Sequence, residues 1–274
     1  MPIVFRRPAA ALAPFVAHLW HFEDPDGSLA HARERIMPDG TMQLLVNLHE
    51  DELRSYHGEH GEPMELRRTG GAALCGPHTG HFAIDTAEQR AIMGVSFHPG
   101  GAAPFFAAPA DAVCGLDVEV DRLWGRDGAT LRERLLEQPT PAARLRTMEA
   151  VLLARVVRPL ARDPAITLAI AALERDVPVA AVAERLGYSA RRLISGFGAQ
   201  VGLTPKRFAR VRRFQRVLRA ITGGPPTPWV ELALACGYFD QAHFIHDFRA
   251  FSGLHPTAYA PRDAAGHNHV ILPD

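Results

Sequence analysis

The apolar positions change period part-way along the chain. Up to about residue 115 they come as short runs, MQLLVNL (42–48), HFAIDT (81–86) and AIMGVSF (91–97), separated by PDG, GPHTG and HPGG. Short apolar or alternating runs punctuated by glycine and proline predict strands joined by tight turns, hence a small antiparallel barrel or sandwich. From about 117 to 159 the spacing becomes helical. Leu131, Leu135 and Leu136, then Leu145, Met148, Val151, Leu152 and Val156, form two stripes, with Pro139 and Pro141 between them. A dimer contact and packing inside the chain explain these leucines equally well.

Past residue 160 the pattern repeats itself. Val179, Val182, Ala183 and Leu186 make the stripe of a short helix, Gly187 ends it, and Ser189 is a good N-cap for a second helix with Leu193, Phe197 and Ile194 inward. Helix, a short turn containing glycine, then helix is the helix-turn-helix pattern. About 50 residues later Pro228 opens a second copy. Trp229, Leu232, Ala233 and Cys236 form its stripe, Gly237 breaks it, Asp240 caps, and Phe244, Phe248 and Phe251 face inward. Leu186-Gly187-Tyr188 answers Cys236-Gly237-Tyr238, and GLTP (202–205) answers GLHP (253–256). Two copies are too few for a solenoid, so each should be compact. Between them PKRFARVRRFQRVLRAI (205–221) predicts a linker helix bearing Lys206, Arg207, Arg210, Arg212, Arg213, Arg216 and Arg219 without one acid; TGGPPTP (222–228) ends it. Unopposed charge on such a rod suits phosphates, for which Lys206, Arg207 and Arg210 are the candidates.

The zero net charge hides an asymmetry. Residues 162–262 hold 14 Arg and Lys against 7 Asp and Glu, whereas residues 1–161 hold 16 against 21. Only the C-terminal part is therefore expected to meet a polyanion. Cys75, Cys114 and Cys236 have no metal-ligand spacing and read as reduced thiols of a cytoplasmic protein. No apolar run reaches 18 residues and the N-terminus has no signal-peptide core, so neither a membrane span nor a signal peptide is expected. GxGxxG, P-loop and GxSxG patterns are absent, which argues against an enzyme and a cofactor. The HxxH pairs His18/His21, His57/His60 and His78/His81 read as surface or packing histidines rather than metal ligands.

The stretches AERLGYSARRLISGFGAQVGLTPKRFARVRRFQR and ELALACGYFDQAHFIHDFRAFSGLHPTAY resemble the AraC/XylS family of transcription regulators over about residues 164–260. ERIMPDGTMQLLVNL, GPHT and VSFHPGGAAPFF resemble, less specifically, the N-terminal domain of a subset of that family. The resemblance implies an α+β chain: a β-rich sensor domain (1–115), a helical pair (116–160), an all-α double helix-turn-helix domain (161–262) and a tail (263–274). It implies a seven-helix module with two recognition helices in successive major-groove segments, with double-stranded DNA, RNA polymerase, a small effector and a second copy of the chain as partners, and an activator's role. Matched by position, the first recognition helix presents Ala190, Arg191, Arg192, Ser195 and Gly196, and the second Gln241, Ala242, His243 and His246. Arg191 suits guanine O6 and N7, and Gln241 adenine N6 and N7; the two histidines suit phosphate or packing. Ser195-Gly196 departs from the long polar residue often found there, and glycine costs about 1 kcal/mol of helix propensity relative to alanine.

Overall fold

The computed structural model describes residues 3–27, 31–58, 64–223, 227–261 and 266–272; His60 and Pro225 lie outside them. The N-terminal strands are β1 (Val4–Arg6), β2 (Val16–Glu23), β3 (Arg33–Ile36), β4 (Gln43–Asn47), β5 (Glu52–His57), β6 (Glu65–Gly70), β7 (Ala72–Cys75), β8 (Phe82–Asp85), β9 (Ala91–Phe97) and β10 (Asp117–Glu119). The three predicted runs became β4, β8 and β9. Sheet order is β1-β2-β9-β4-β7-β10 in one layer. The other layer runs β11-β3-β8-β5-β6, where β11 (His269–Leu272) comes from the far end of the chain. Every pairing is antiparallel. Each sheet keeps two edge strands, so the domain is a sandwich and not a closed barrel.

The segment expected as two helices is divided further. It holds α1 (Val120–Trp124), α2 (Arg126–Ala129), α3 (Leu131–Leu136) and α4 (Pro141–Ala154). Gly125, at φ 60°, turns the chain between the first two, a conformation that glycine adopts without steric cost. Leu131, Leu135, Leu145, Met148, Val151 and Leu152 share one core with Leu44, Val95 and Phe97 of the sheet. Apart from Leu136, which is exposed, the leucine stripes are thus spent inside the chain, and α1–α4 pack on the sandwich. Trp124 stacks on Phe106 at 5.1 Å and donates its Nε1–H to the Phe105 carbonyl at 2.9 Å.

Between β8 and β9 the Glu88 side chain is wholly buried. One oxygen accepts from the Arg54 amide at 2.7 Å and from Gln89 Nε2 at 3.1 Å; the other has no hydrogen-bond partner. Burial pushes this carboxyl up to about 7. The folded chain therefore holds a proton that the unfolded chain releases near pH 4.5, and the group's contribution to stability falls as pH rises through 4.5–7. We expect Glu88→Gln to flatten that fall, by up to about 3 kcal/mol between pH 5 and 8, at 1.4 kcal/mol per pH unit. Equal pH slopes for variant and parent in urea unfolding would contradict it.

The C-terminal helices are α5 (Pro164–Leu173), α6 (Val179–Leu186), α7 (Ala190–Val201), α8 (Pro205–Gly223), α9 (Trp229–Ala235) and α10 (Gln241–Ser252). Where a seventh helix was implied, a 3₁₀ turn over Pro256–Ala258 stands instead, begun by the His255 ring accepting from the Thr257 amide. The two units have separate cores, one around Phe197 and Phe208 and the other around Phe214, Phe244 and Phe248. The second core also takes in Met37 and Val270 from the β3–β11 side. What was expected as a tail thus contributes a strand that closes onto the sandwich.

Candidate nucleic-acid interface

Local chemistry builds the two units alike. In the first, Gly187 ends α6 in the left-handed conformation (φ 64°) and Ser189 Oγ accepts from the Arg192 amide at 3.2 Å to start α7. In the second, Gly237 turns at φ 88° and Asp240 accepts from the His243 amide at 2.7 Å to start α10. Leu193 and Phe197, and Phe244 and Phe248, are fully buried as the stripes predict. Ile194 is 45% exposed, so it lies outside the inner face it was assigned to.

The outward residues fall at the N-terminal halves of both helices. Ala190, Arg191, Arg192 and Ser195 on α7, and Ala242 and His246 on α10, are exposed; Gln241 and His243 are half-buried. Arg192 lies over the Tyr188 ring at 4.0 Å. His243 packs edge-on to Tyr238 and stands 3.7 Å from Asp247, which favours its packing role. The C-terminal halves are covered instead. Gly198 meets the Asp111 carboxylate and Gly202 meets Pro77, so close that a Cβ on Gly202 would stand 2.5 Å from that ring. Gly253, the matching cap of α10, meets His81 with the same closeness. One loop, residues 77–81, therefore touches the end of each recognition helix. Gly202 is spent on that approach and Gly198 on that of Asp111, and no repeat in the sequence could announce either.

The linker helix α8 is less free than its composition suggested. Arg210 makes a two-pronged pair with Asp247, at 2.6 and 3.4 Å. Arg212 pairs with Glu174 at 2.9 Å. Arg213 donates to Asp176 at 2.9 and 3.1 Å, and Arg216 pairs with the same carboxylate. Arg216 also reaches the Glu174 carbonyl at 2.7 Å and the Cys236 carbonyl at 3.0 Å. Four of the seven charges are thus opposed, by acids that come from the α5–α6 turn and from α10. Their effect is mechanical: Asp176 and Arg216 tie the turn of the first unit to the turn of the second. A Cβ at Gly237 would stand 2.7 Å from Asp176 Oδ2, so this clasp needs glycine there. Lys206, Arg207 and Arg219 are exposed, with no acidic partner among the described residues, and so is Arg191.

Residues 182–262 match the family described as "Helix-turn-helix domain", which covers most of both units. The C-terminal third is a helix-turn-helix domain. A domain of this kind binds DNA. Residues 5–119 match the family described as "Domain of unknown function (DUF6597)", which ends where β10 ends. The C-terminal domain of AraT, a response regulator from Geobacillus stearothermophilus, is 21% identical at a TM-score of 0.33, over 35% of this chain and 82% of its own. A probable AraC family transcriptional regulator from Rhodopseudomonas palustris is 25% identical at 0.31, over 34% and 92%. ToxT from Vibrio cholerae spans 88% of this chain and 96% of its own at 9% identity and a TM-score of 0.43. No curated protein matches the sequence. Within this domain Arg191 and Arg192 at the start of α7 and Lys206 and Arg207 at the start of α8 are exposed, as are Arg185 on α6, Arg219 late in α8 and Arg249 late in α10. No helix among the described residues is long and apolar enough to cross a membrane.

Proposed function

We propose that this chain is a sequence-specific, cytoplasmic transcription regulator that lays α7 and α10 into successive major-groove segments of one DNA face. Arg191 and Gln241 read bases, Ala190, Arg192, Ser195, Ala242 and His246 line the grooves, and Lys206 and Arg207 contact phosphates. The observation that carries this reading is the bracing of two alike units, their outer edges open to solvent and their separation fixed by the Asp176–Arg216 clasp. Arg210 is reassigned: its charge belongs to Asp247, and it holds α10 to the linker rather than gripping phosphate. His243 packs likewise.

The sandwich acts as the sensor. Where it meets α5 and α7 there is a cleft of about 560 Å³, lined by Phe15, Pro104, Ile166, Arg158 and Arg162. A small organic effector held there would touch the sandwich and the first unit together, and RNA polymerase and a second copy of the chain are the macromolecular partners of this reading. Retention of a fragment of the gene's own upstream DNA, set against a shuffled fragment across 50–300 mM salt, tests it. Preferential binding that weakens steeply with salt is expected. Equal binding to both fragments would overturn the specific reading.

A further inference from the structure

The last described segment of the chain does something the domain pattern does not require. Strand β11 leaves the helix-turn-helix domain and adds itself to the edge of β3, pairing His269 with Ile36, Val270 with Arg35, Ile271 with Glu34 and Leu272 with Arg33. The pairing continues at its start, where the Met37 amide donates to the Asn268 carbonyl at 2.8 Å. Val270 is 6% exposed and lies in the core of the second unit, so the strand belongs to both bodies at once.

Three polar ties run through the same place. Gln215, buried on the linker helix, donates to the Pro38 carbonyl and to Asn268 Oδ1, both at 2.8 Å. Arg35 of β3 donates to the Ser252 carbonyl at 3.1 Å, at the last turn of α10. Glu34 is 2% exposed, and its two oxygens stand 2.7 Å from His31 Nε2 and 2.6 Å from His269 Nδ1. A buried carboxylate is costly unless hydrogen-bonded, so the His269 contact on Glu34 favours the closed arrangement. Yet four residue pairs at a sheet edge are a small unit, of the kind that opens locally before a domain unfolds. Closed at rest and cheap to open is the character of a coupling element.

We propose that residues 266–272 are a strap that couples the sandwich to the second recognition helix: displacement of β3 is passed through β11, Arg35 and Gln215 to the end of α10, with Glu34 as the residue that positions His269 and keeps the strap shut. The consequence for DNA rests on reading α10 as a base reader; the coupling does not.

Hydrogen–deuterium exchange on the full chain, without DNA, tests the coupling. In Val270→Asp, peptides covering 33–36 and 241–252 should exchange at least ten-fold faster, while 43–47 and 190–201 keep the parent rate. Acceleration at 33–36 alone would overturn the proposal, because the strap would then cover an edge without holding α10. Should Val270→Asp loosen the whole chain, Glu34→Gln and His269→Gln decide. Faster exchange confined to 33–36 and 241–252 supports the strap, and parent rates in both segments refute it.

Discussion

Arg210→Ala is expected to destabilise the chain by about 2–4 kcal/mol while leaving discrimination between DNA sequences intact. Its partner explains the size. Asp247 is 2% exposed, and with Arg210 gone the pairing left to it among the described residues is the His243 ring at 3.7 Å. A carboxylate stripped of its bidentate partner in a dry site keeps its desolvation cost and loses the compensation. Asp247→Ala should cost less, because Arg210 is a third exposed and can turn its guanidinium to water. Urea unfolding of both single variants and the double closes the cycle. A loss below about 0.5 kcal/mol in Arg210→Ala, accompanied by weaker binding to every DNA, would return this residue to the phosphate role that the linker's composition suggests.

The second large effect concerns specificity. Arg191→Ala and Gln241→Ala should each cost about 1–3 kcal/mol of preference at one base pair, roughly ten- to a hundred-fold, and less than that in affinity for random DNA. Arg191 is exposed and has no acid beside it among the described residues. Arg192, the next residue, is partly committed to the Tyr188 ring, so Arg192→Ala is expected to matter less. Gln241 opens α10 next to the Asp240 cap. Competition between operators altered one pair at a time reads the effect. Unchanged base preference in both variants would remove them as readers.

Those two predictions also mark what the sequence discloses and what it leaves out. Caps and stops are local chemistry. Ser189, Asp240, Gly187 and Gly237 announce their helices because each acts within a few residues of itself, and the repeat doubles the signal. Charge pairing is not local. The segment 205–221 contains no acid, and the carboxylates that oppose its arginines, Glu174, Asp176 and Asp247, arrive only with the folding of α5, the turn before α6, and α10. Asp176 even sits at φ 59°, unusual for a non-glycine residue and invisible to periodicity. Leucine spacing at 131–156 fixed the helical character but not the partner, since a stripe reads the same against its own sheet or against a second copy. Ile194 sat one position off the buried stripe and turned outward. The strand at 269–272 is four residues of a short C-terminal stretch, and only the free edge of β3 makes it a strand.

On the proposed reading, two helices braced by α8 engage one face of the duplex together. Hydroxyl-radical footprinting of the bound upstream fragment tests it most directly. Two protected patches on the same face are expected, centred about one helical turn (10–10.5 base pairs) apart, both weakened by Asp176→Ala, which releases the clasp. A single patch, or two on opposite faces of the helix, would contradict it.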